Sequence, residues 1–438
     1  MKSIKAIKGM NDILPSSSYI WFWLEKTIND WLNCYGYQQI RTPLVEPTDL
    51  FLHTVGASSD IVNKEMYCWQ DDMNGDKLSL RPEGTASCMR AVIEHNLLYN
   101  QPQKLWYMGA MFRHERPQQG RYRQFHQLGV EAIGFNSYQA EIELVSMLAD
   151  LWQRLGLTSI KLHINCLGNS QERLAYKSEL QQYFLTQLKI LWQQQKITTD
   201  QFNDLERKTH TNPLRILDSK ITNLESVVKQ APNIFEYLKH ESLDHYNSWK
   251  QALTDLKIDY IENPYLVRGL DYYNLSVFEW ISDDLGSQSA VCGGGRYDAL
   301  FNLLPNKIIS NRQYAAGFAI GLERLIIILT ANKLLPTTIS YDFYFCYLQS
   351  NYSSFVTHII KLLRSNQKWQ IFYNYESIAL KNHLKKAQQM KARFCLIIGE
   401  QEVQNQTVTV KNMETRTQTS LNSESLLSFL YNQLNENQ

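Results

Sequence analysis

The sequence predicts an α+β chain: a catalytic domain built on an antiparallel sheet, interrupted by a helical insertion and followed by a small α/β domain. Three observations predict it. Residues 105–134, LWYMGAMFRHERPQQGRYRQFHQLGVEAIG, alternate with a period of two on either side of a loop. Residues 169–260 are Gln-, Leu- and Lys-rich with helical periodicity, as in SELQQYFLTQLKILWQQQ, and stop ahead of the turn-forming Asn263-Pro264. After KLLPTT (333–338), strand candidates YDFYFCYL, WQIFYN and RFCLIIGE alternate with helix candidates SFVTHIIKLLRS and SIALKNHLKKAQQM, the pattern of a largely parallel sheet. The expected organisation is a core over 1–331 interrupted by 169–260, a linker over 332–338 and the α/β domain over 339–438.

Bulk properties bound the function. With 438 residues, 44% of them hydrophobic, the chain is long enough for two or three domains with their own cores. A net charge of +1 lacks the strongly basic balance of many nucleic-acid binders, so any RNA contact must come from local patches. Seven cysteines, scattered and never spaced as C-x-x-C, point to free thiols in a reducing compartment and away from a metal site built on Cys or His clusters. The N-terminal MKSIKAIKGMND has no apolar core of a signal peptide, and the run around Leu325 to Leu329 is too short to span a bilayer. A cytoplasmic protein without membrane contact is expected.

Residues 19–35 read as an amphipathic helix, with Ile20, Trp23, Leu24, Ile28, Trp31 and Leu32 at helical spacing and Gly36 as its stop. YQQIRTPLVEP continues as a strand restricted by Pro43 and Pro47. DKLSLRPEGTASCMR (76–90) runs from a strand through a turn into a helix, with Thr85 in reach as a cap. In the hairpin, Trp106, Met108, Ala110 and Phe112 share one face, and Arg113 and Glu115 the other; in its second strand Leu128, Val130 and Ala132 oppose Arg123, Phe125, Gln127 and Glu131. Such strands are half-buried, and their polar face is either solvated or, given arginines mixed with Gln, Glu and an aromatic, built for a planar anion beside a ring.

LVRGLDYYN (266–274) reads as a strand-like run whose Arg268 needs an anionic partner, Asp271 being one choice. SAVCGGGRYD (289–298) carries three glycines in a row, by themselves the mark of a bulge or tight turn; the chain contains neither a P-loop nor G-x-G-x-x-G. AAGFAIGLERLIIIL (315–329) is a strand, a break at Gly321 and a helix, with Arg324 in the first turn, where the helix dipole disfavours a cation. Either a bound anion or a salt bridge with Glu323 answers that. Lys381, Lys385, Lys386, Lys391 and Arg393 form a basic cluster, a solvated helix face unless RNA covers it.

FRHERPQQGRYRQFHQLGVEAIG resembles the second signature of the class II aminoacyl-tRNA synthetases, in the form found in the bacterial histidyl-tRNA synthetase family. The helix 19–35 with its Pro-ended strand resembles the first signature, AAGFAIGLERLIIIL the third, and LVRGLDYYN with SAVCGGGRYD the two histidine motifs of that family. The resemblance implies a class II catalytic fold, an anticodon-binding C-terminal domain, and ligation of histidine to tRNA(His) through histidyl-adenylate. It implies ATP as substrate with Mg²⁺ between phosphate oxygens, and a homodimer through the N-terminal helix and strand. By resemblance, Arg113 and Arg268 are the catalytic pair on the α-phosphate and the carboxylate. Arg121 and Arg324 take the outer phosphates, Arg123 and Phe125 frame the adenine, and Glu115 reads its amino group. Glu83, Thr85 and Gln127 hold the amino-acid backbone, Glu131 and Tyr273 the imidazole nitrogens, and Tyr272 and Tyr297 complete the wall. One departure stands out: many relatives have a glycine-rich loop before the basic helix, where this chain reads NYESIALKNHL. Two other functions share the fold, a regulatory subunit of histidine biosynthesis and an uncharged-tRNA sensor fused to a kinase. The first tends to lose the Arg268-type motif and the C-terminal domain, and no kinase signature is present here.

Overall fold

The computed structural model describes residues 3–56, 59, 61–219, 221–288, 290–304, 312–336, 341–349, 353–365, 369–376 and 378–435. Ser289 and residues 337–338 of the expected linker lie outside them. The chain divides into Met1–Pro336 and Thr337–Gln438. In the first unit the strands are, in chain order, β1 (Gln38–Gln39), β2 (Val45–Pro47), β3 (Tyr67–Gln70), β4 (Lys77–Leu80), β5 (Gln103–Phe112), β6 (Gln124–Ile133), β7 (Lys161–Cys166), β8 (Tyr260–Glu262), β9 (Asn274–Ile281), β10 (Ala290–Arg296) and β11 (Ala315–Gly321). Eight of them form one sheet in the order β1-β5-β6-β11-β10-β9-β7-β8. Its inner pairings are antiparallel, and only the short edge strands β1 and β8 pair in parallel.

The first helix, Pro15–Cys34, buries Leu24, Ile28, Trp31 and Leu32 and starts earlier than its apolar spacing indicates, with Pro15 in its first turn. YQQIRTPLVEP is not one strand. β1 pairs with β5 of the large sheet and β2 with β4 of a separate three-stranded sheet, and Pro43, which has no N–H to donate, lies between them. The hairpin of β5 and β6 is antiparallel as its alternation predicts, with Leu105 opposite Glu131 and Gly109 opposite Gln127. It is not half-buried along its length. From Leu128 to Ile133 β6 is buried on both faces, because Thr85, Tyr107 and Tyr297 cover the side that carries Glu131.

The helical stretch holds long helices at Ser170–Gln193, Thr199–Thr211 and His240–Asp255. Asn169 caps the first with a reciprocal Glu172 capping box. This stretch is tied into the core by a buried network. Glu141, in the helix Gln139–Arg154, accepts from Arg296 Nε at 2.7 Å and Nη2 at 2.5 Å, from Ser276 at 3.1 Å, and bonds His245 at 2.9 Å. Burial pushes the Glu141 carboxyl up, but its bonds to His245 and Arg296 win and hold it down at about 2. Its contribution to stability is therefore present above the ordinary value of 4.5 and is lost as pH falls toward 2. Glu141→Gln, which leaves the buried Arg296 with Asp298 at 3.3 Å as its remaining carboxylate, is expected to cost about 3–5 kcal/mol in denaturant unfolding at pH 7.

The second unit carries β12 (Phe343–Tyr347), β13 (Ile371–Asn374), β14 (Phe394–Ile398), β15 (Thr407–Asn412) and β16 (Gln418–Asn422), in the order β13-β12-β14-β15-β16. β12 pairs in parallel with β13 and β14, but β15 and β16 add an antiparallel hairpin, so the sheet is mixed rather than largely parallel. The helices Ser354–Arg364 and Ser423–Asn435 pack on one face, and the helix Leu380–Gln389, which carries Lys381, Lys385 and Lys386 of the basic cluster, on the other; Lys391 and Arg393 lie beyond its end. Both faces are thus covered, which is why the three parallel strands read as apolar runs without alternation.

Candidate active site

One cavity of about 280 Å³ opens over β6, β11 and β10, roofed by the loop 266–273 and the turn before the helix Thr85–Glu94. Glu83, Thr85, Arg113, Glu115, Arg121, Phe125, Gln127, Glu131, Arg268, Tyr272, Tyr273, Tyr297 and Arg324 all line it. Arg123 does not. β6 starts only at Gln124, so the alternation does not extend back to Arg123, which braces the loop instead. Its backbone N–H donates to the Gly9 carbonyl at 2.8 Å and its Nε to the Glu115 carbonyl at 3.1 Å.

The closed end is organised around Glu131, which is 1% exposed. Its carboxylate accepts from Thr85 and Tyr107 hydroxyls, both at 2.9 Å, and from Tyr297. Burial raises its pKa to about 8 even though those hydroxyls favour the charged form. The register that sets Gly317 opposite Glu131 makes room for it, since a Cβ there would overlap the carboxylate. Tyr272, Tyr273 and Tyr297 pack ring against ring, with centroids 4.8 to 6.1 Å apart. Gln127 Oε1 is buried with no hydrogen-bond partner among the described residues, an acceptor in need of a donor. Thr85 is not the helix cap. Glu83 takes that role from the turn, accepting the N–H groups of Thr85 and Ala86, both at 2.8 Å.

The wider end is cationic. Arg113 donates to the Pro82 carbonyl at 2.9 Å and lies over the Phe125 ring at 5.2 Å. Arg121 pairs with Glu115. Arg324 donates to the carbonyls of Gly120 at 2.9 Å and Ala290 at 2.8 Å, whereas Glu323 binds His126, so the two neighbours are not a pair. Burial, then Arg113 and Arg121, lower the Arg324 pKa to about 10. A group whose charged form is disfavoured by neighbouring cations gains from any anion placed between them.

Arg268 lies in a loop, not a strand; the strand β9 begins only at Asn274. Its partner is Glu279 of β9 rather than Asp271, and its guanidinium sits 5.6 Å from the centre of the Tyr273 ring. The glycine triplet, by contrast, is not a turn but strand, within β10, and its purpose is space: a Cβ on Gly293 would overlap the Arg268 guanidinium. Sequence reasoning missed two residues of the site. Glu279 was legible as the lone acid in the apolar strand NLSVFEWI, and Tyr107 as a hydroxyl on the polar face of β5.

Residues 9–325 match the family model described as histidyl-tRNA synthetase, and residues 336–433 match one described as anticodon binding domain. The chain is 45% identical over 418 residues to a histidine–tRNA ligase of Laribacter hongkongensis, covering 95% of each, and 46% identical over 420 residues to one of Neisseria meningitidis, covering 94% of each. The crystal structure of an apo S. aureus histidyl-tRNA synthetase matches with a TM-score of 0.76 at 31% identity, over 98% of this chain and 100% of that one. A Bacillus halodurans protein described as an ATP phosphoribosyltransferase regulatory subunit/histidyl-tRNA synthetase shares the fold, with a TM-score of 0.59 at 21% identity over 90% of this chain and 97% of that one.

Proposed function

The chain belongs to the histidyl-tRNA synthetase family, and on that premise we propose that it is a histidine–tRNA ligase, forming histidyl-adenylate and pyrophosphate from histidine and ATP and passing the histidyl group to the 3′ end of tRNA(His). The observation that carries this is the convergence of Arg113, Arg121, Arg268 and Arg324 on a cavity whose closed end is the buried carboxylate of Glu131.

In the first step the histidine carboxylate attacks the α-phosphorus. Two anions must meet, so the site needs positive charge in fixed positions more than it needs a base. Arg113 and Arg268 take the α-phosphate and the carboxylate; Arg121 and Arg324 take the outer phosphates. Arg113 and Arg324 are held by backbone carbonyls before any substrate arrives, which lowers the reorganisation needed at the moment of reaction. Phe125 carries the adenine, with Glu115 at its amino group; Arg123 reaches it only if substrate redraws the loop. Glu83, Thr85 and Gln127 receive the α-ammonium, and Glu131 with Tyr273 brackets the imidazole between Tyr272 and Tyr297.

ATP would carry Mg²⁺ in this reading. Among the described residues no three His, Cys, Asp or Glu side chains gather as a metal cage. Glu279 is the cavity carboxylate that would hold the ion, which would neutralise charge on the phosphates. The homodimer is proposed through the N-terminal helix and strand, where Phe22, Leu44 and Val45 are exposed apolar residues. No helix among the described residues is long and apolar enough to cross a membrane, and a cytoplasmic location is proposed.

ATP–pyrophosphate exchange tests the reading directly. Exchange is expected with histidine and with none of the other amino acids, and charging with tRNA(His) alone. Folded protein giving no exchange with any amino acid would favour the regulatory function of its more distant fold relatives.

A further inference from the structure

We propose that Asp271 is a positioning residue through which the helices around 170–217 fix the loop 266–273, and with it Arg268 and Tyr273, over the substrate cavity. The proposal rests on the ligase reading above. The loop is a partition. One side presents Arg268, Tyr272 and Tyr273 to the main cavity. The other closes a second cavity of about 20 Å³, room for one water, against the start of the helix Ser170–Gln193 and the junction between the helices Thr199–Thr211 and Leu214–Leu217.

Charge on that far side is lopsided. The helices contribute Arg173, Lys177 and Arg215, and Asp271 is the sole carboxylate in the lining among the described residues. Burial disfavours the charge on Arg173 and Lys177, and Asp271 offsets it for both. Asn212 Nδ2 donates to Asp271 Oδ1 at 2.8 Å, and Arg215 Nη2 lies 3.7 Å from the same oxygen. Two residues on, Arg173 donates to the Tyr273 carbonyl. The core supplies the opposing wall. Gly56 has φ +96°, and a Cβ on it would stand 2.5 Å from Asp271 Oδ2, so the carboxylate is gripped between a glycine of the core and the cations of the helices.

The consequence reaches the substrate. Arg268 is fixed at the loop's other end by Glu279, and it lies over Tyr273, whose backbone the helices hold. Without the Asp271 charge, three cations face one another in a partly buried space, and their repulsion moves the helices off the loop. Tyr273 and Arg268 then lose their common frame, which weakens histidine more than ATP, since ATP keeps Arg113, Arg121 and Arg324.

The test measures histidine-dependent exchange and thermal melting on the full chain, for wild type, Asp271→Asn, Asp271→Glu, Arg215→Gln and the double variant Asp271→Asn/Arg215→Gln. Asp271→Asn is expected to raise KM for histidine by about 10-fold with KM for ATP within about twofold. Asp271→Glu should recover most of the loss, and the double variant should be no worse than Asp271→Asn, because one repelled cation is gone. Unchanged histidine KM in Asp271→Asn, or equal rises for histidine and ATP with no recovery in Asp271→Glu, would overturn the proposal. Should Asp271→Asn fail to fold, Arg215→Gln decides alone: a raised histidine KM supports the proposal, and wild-type values for both substrates overturn it. No exchange by wild type would overturn the ligase reading, and this one with it.

Discussion

Arg268→Ala is expected to lower histidine-dependent ATP–pyrophosphate exchange by about 10³-fold, mostly in kcat. Arg268 sits in a cavity shared with three other arginines, but only it comes from the loop that also carries Tyr272 and Tyr273, so it bridges the nucleotide end and the amino-acid end. Burial disfavours its charge, yet Glu279 more than restores it, so the guanidinium enters the reaction fully charged. Its fork is the donor set that matches a carboxylate and a phosphate oxygen at once. Arg268→Lys keeps the charge and loses the fork, and is expected to recover only part of the loss. Because Arg268→Ala also leaves Glu279 without its arginine, the companion variant Arg268→Ala/Glu279→Gln separates the two effects. Exchange restored to near wild type by that second change would mean that the arginine serves only to neutralise Glu279.

The second large effect is on histidine recognition and is read through pH. Burial pushes the Glu131 carboxyl up to about 8, against an ordinary value of 4.5, because it penalises the charge. A low-dielectric pocket favours a net-neutral pair of Glu131 and imidazole sharing one dissociable proton. Below about 6.5 free histidine is imidazolium and Glu131 is protonated, so binding must expel a proton. Above about 8 both have lost theirs, and binding must regain one. The kcat/KM for histidine is therefore expected to be bell-shaped, with limbs near those two values. Glu131→Gln should lower it by about 10³-fold or more and erase the upper limb, leaving the lower one, which belongs to the substrate. An upper limb that survives in Glu131→Gln would assign it to another group. The same raised pKa has a stability consequence. The folded state holds a proton that the unfolded state releases above 4.5, so this residue's contribution declines as pH rises from about 4.5 to about 8.

Much of this was legible in the sequence because it depends on local pattern. The hairpin of β5 and β6 announces itself through period-two alternation, the first helix through its apolar spacing, and the small domain through alternating strand and helix segments. Most of the cavity lining was legible too, with Arg123 expected there and not lining it and Glu279 missed, because those residues sit in short motifs whose letters carry the family resemblance. What failed was the conformation of the motifs. LVRGLDYYN is apolar and aromatic enough to read as a strand and is a loop; the glycine triplet reads as a turn and is a strand.

The sequence by itself determined most of the elements, since these follow from periodicity and turn chemistry, and its motifs carried the family resemblance that pointed to most of the residues that meet in the cavity. Only the tertiary structure decided who answers each buried charge. Arg268 chose Glu279 over the nearer-in-sequence Asp271, Arg324 took carbonyls while Glu323 turned to His126, and Arg296 found Glu141 155 residues away. A buried charge must be satisfied, and one sequence states that demand clearly. Which partner meets it depends on strand register and on where glycines let backbones and side chains approach, and those are set only when the whole sheet has formed.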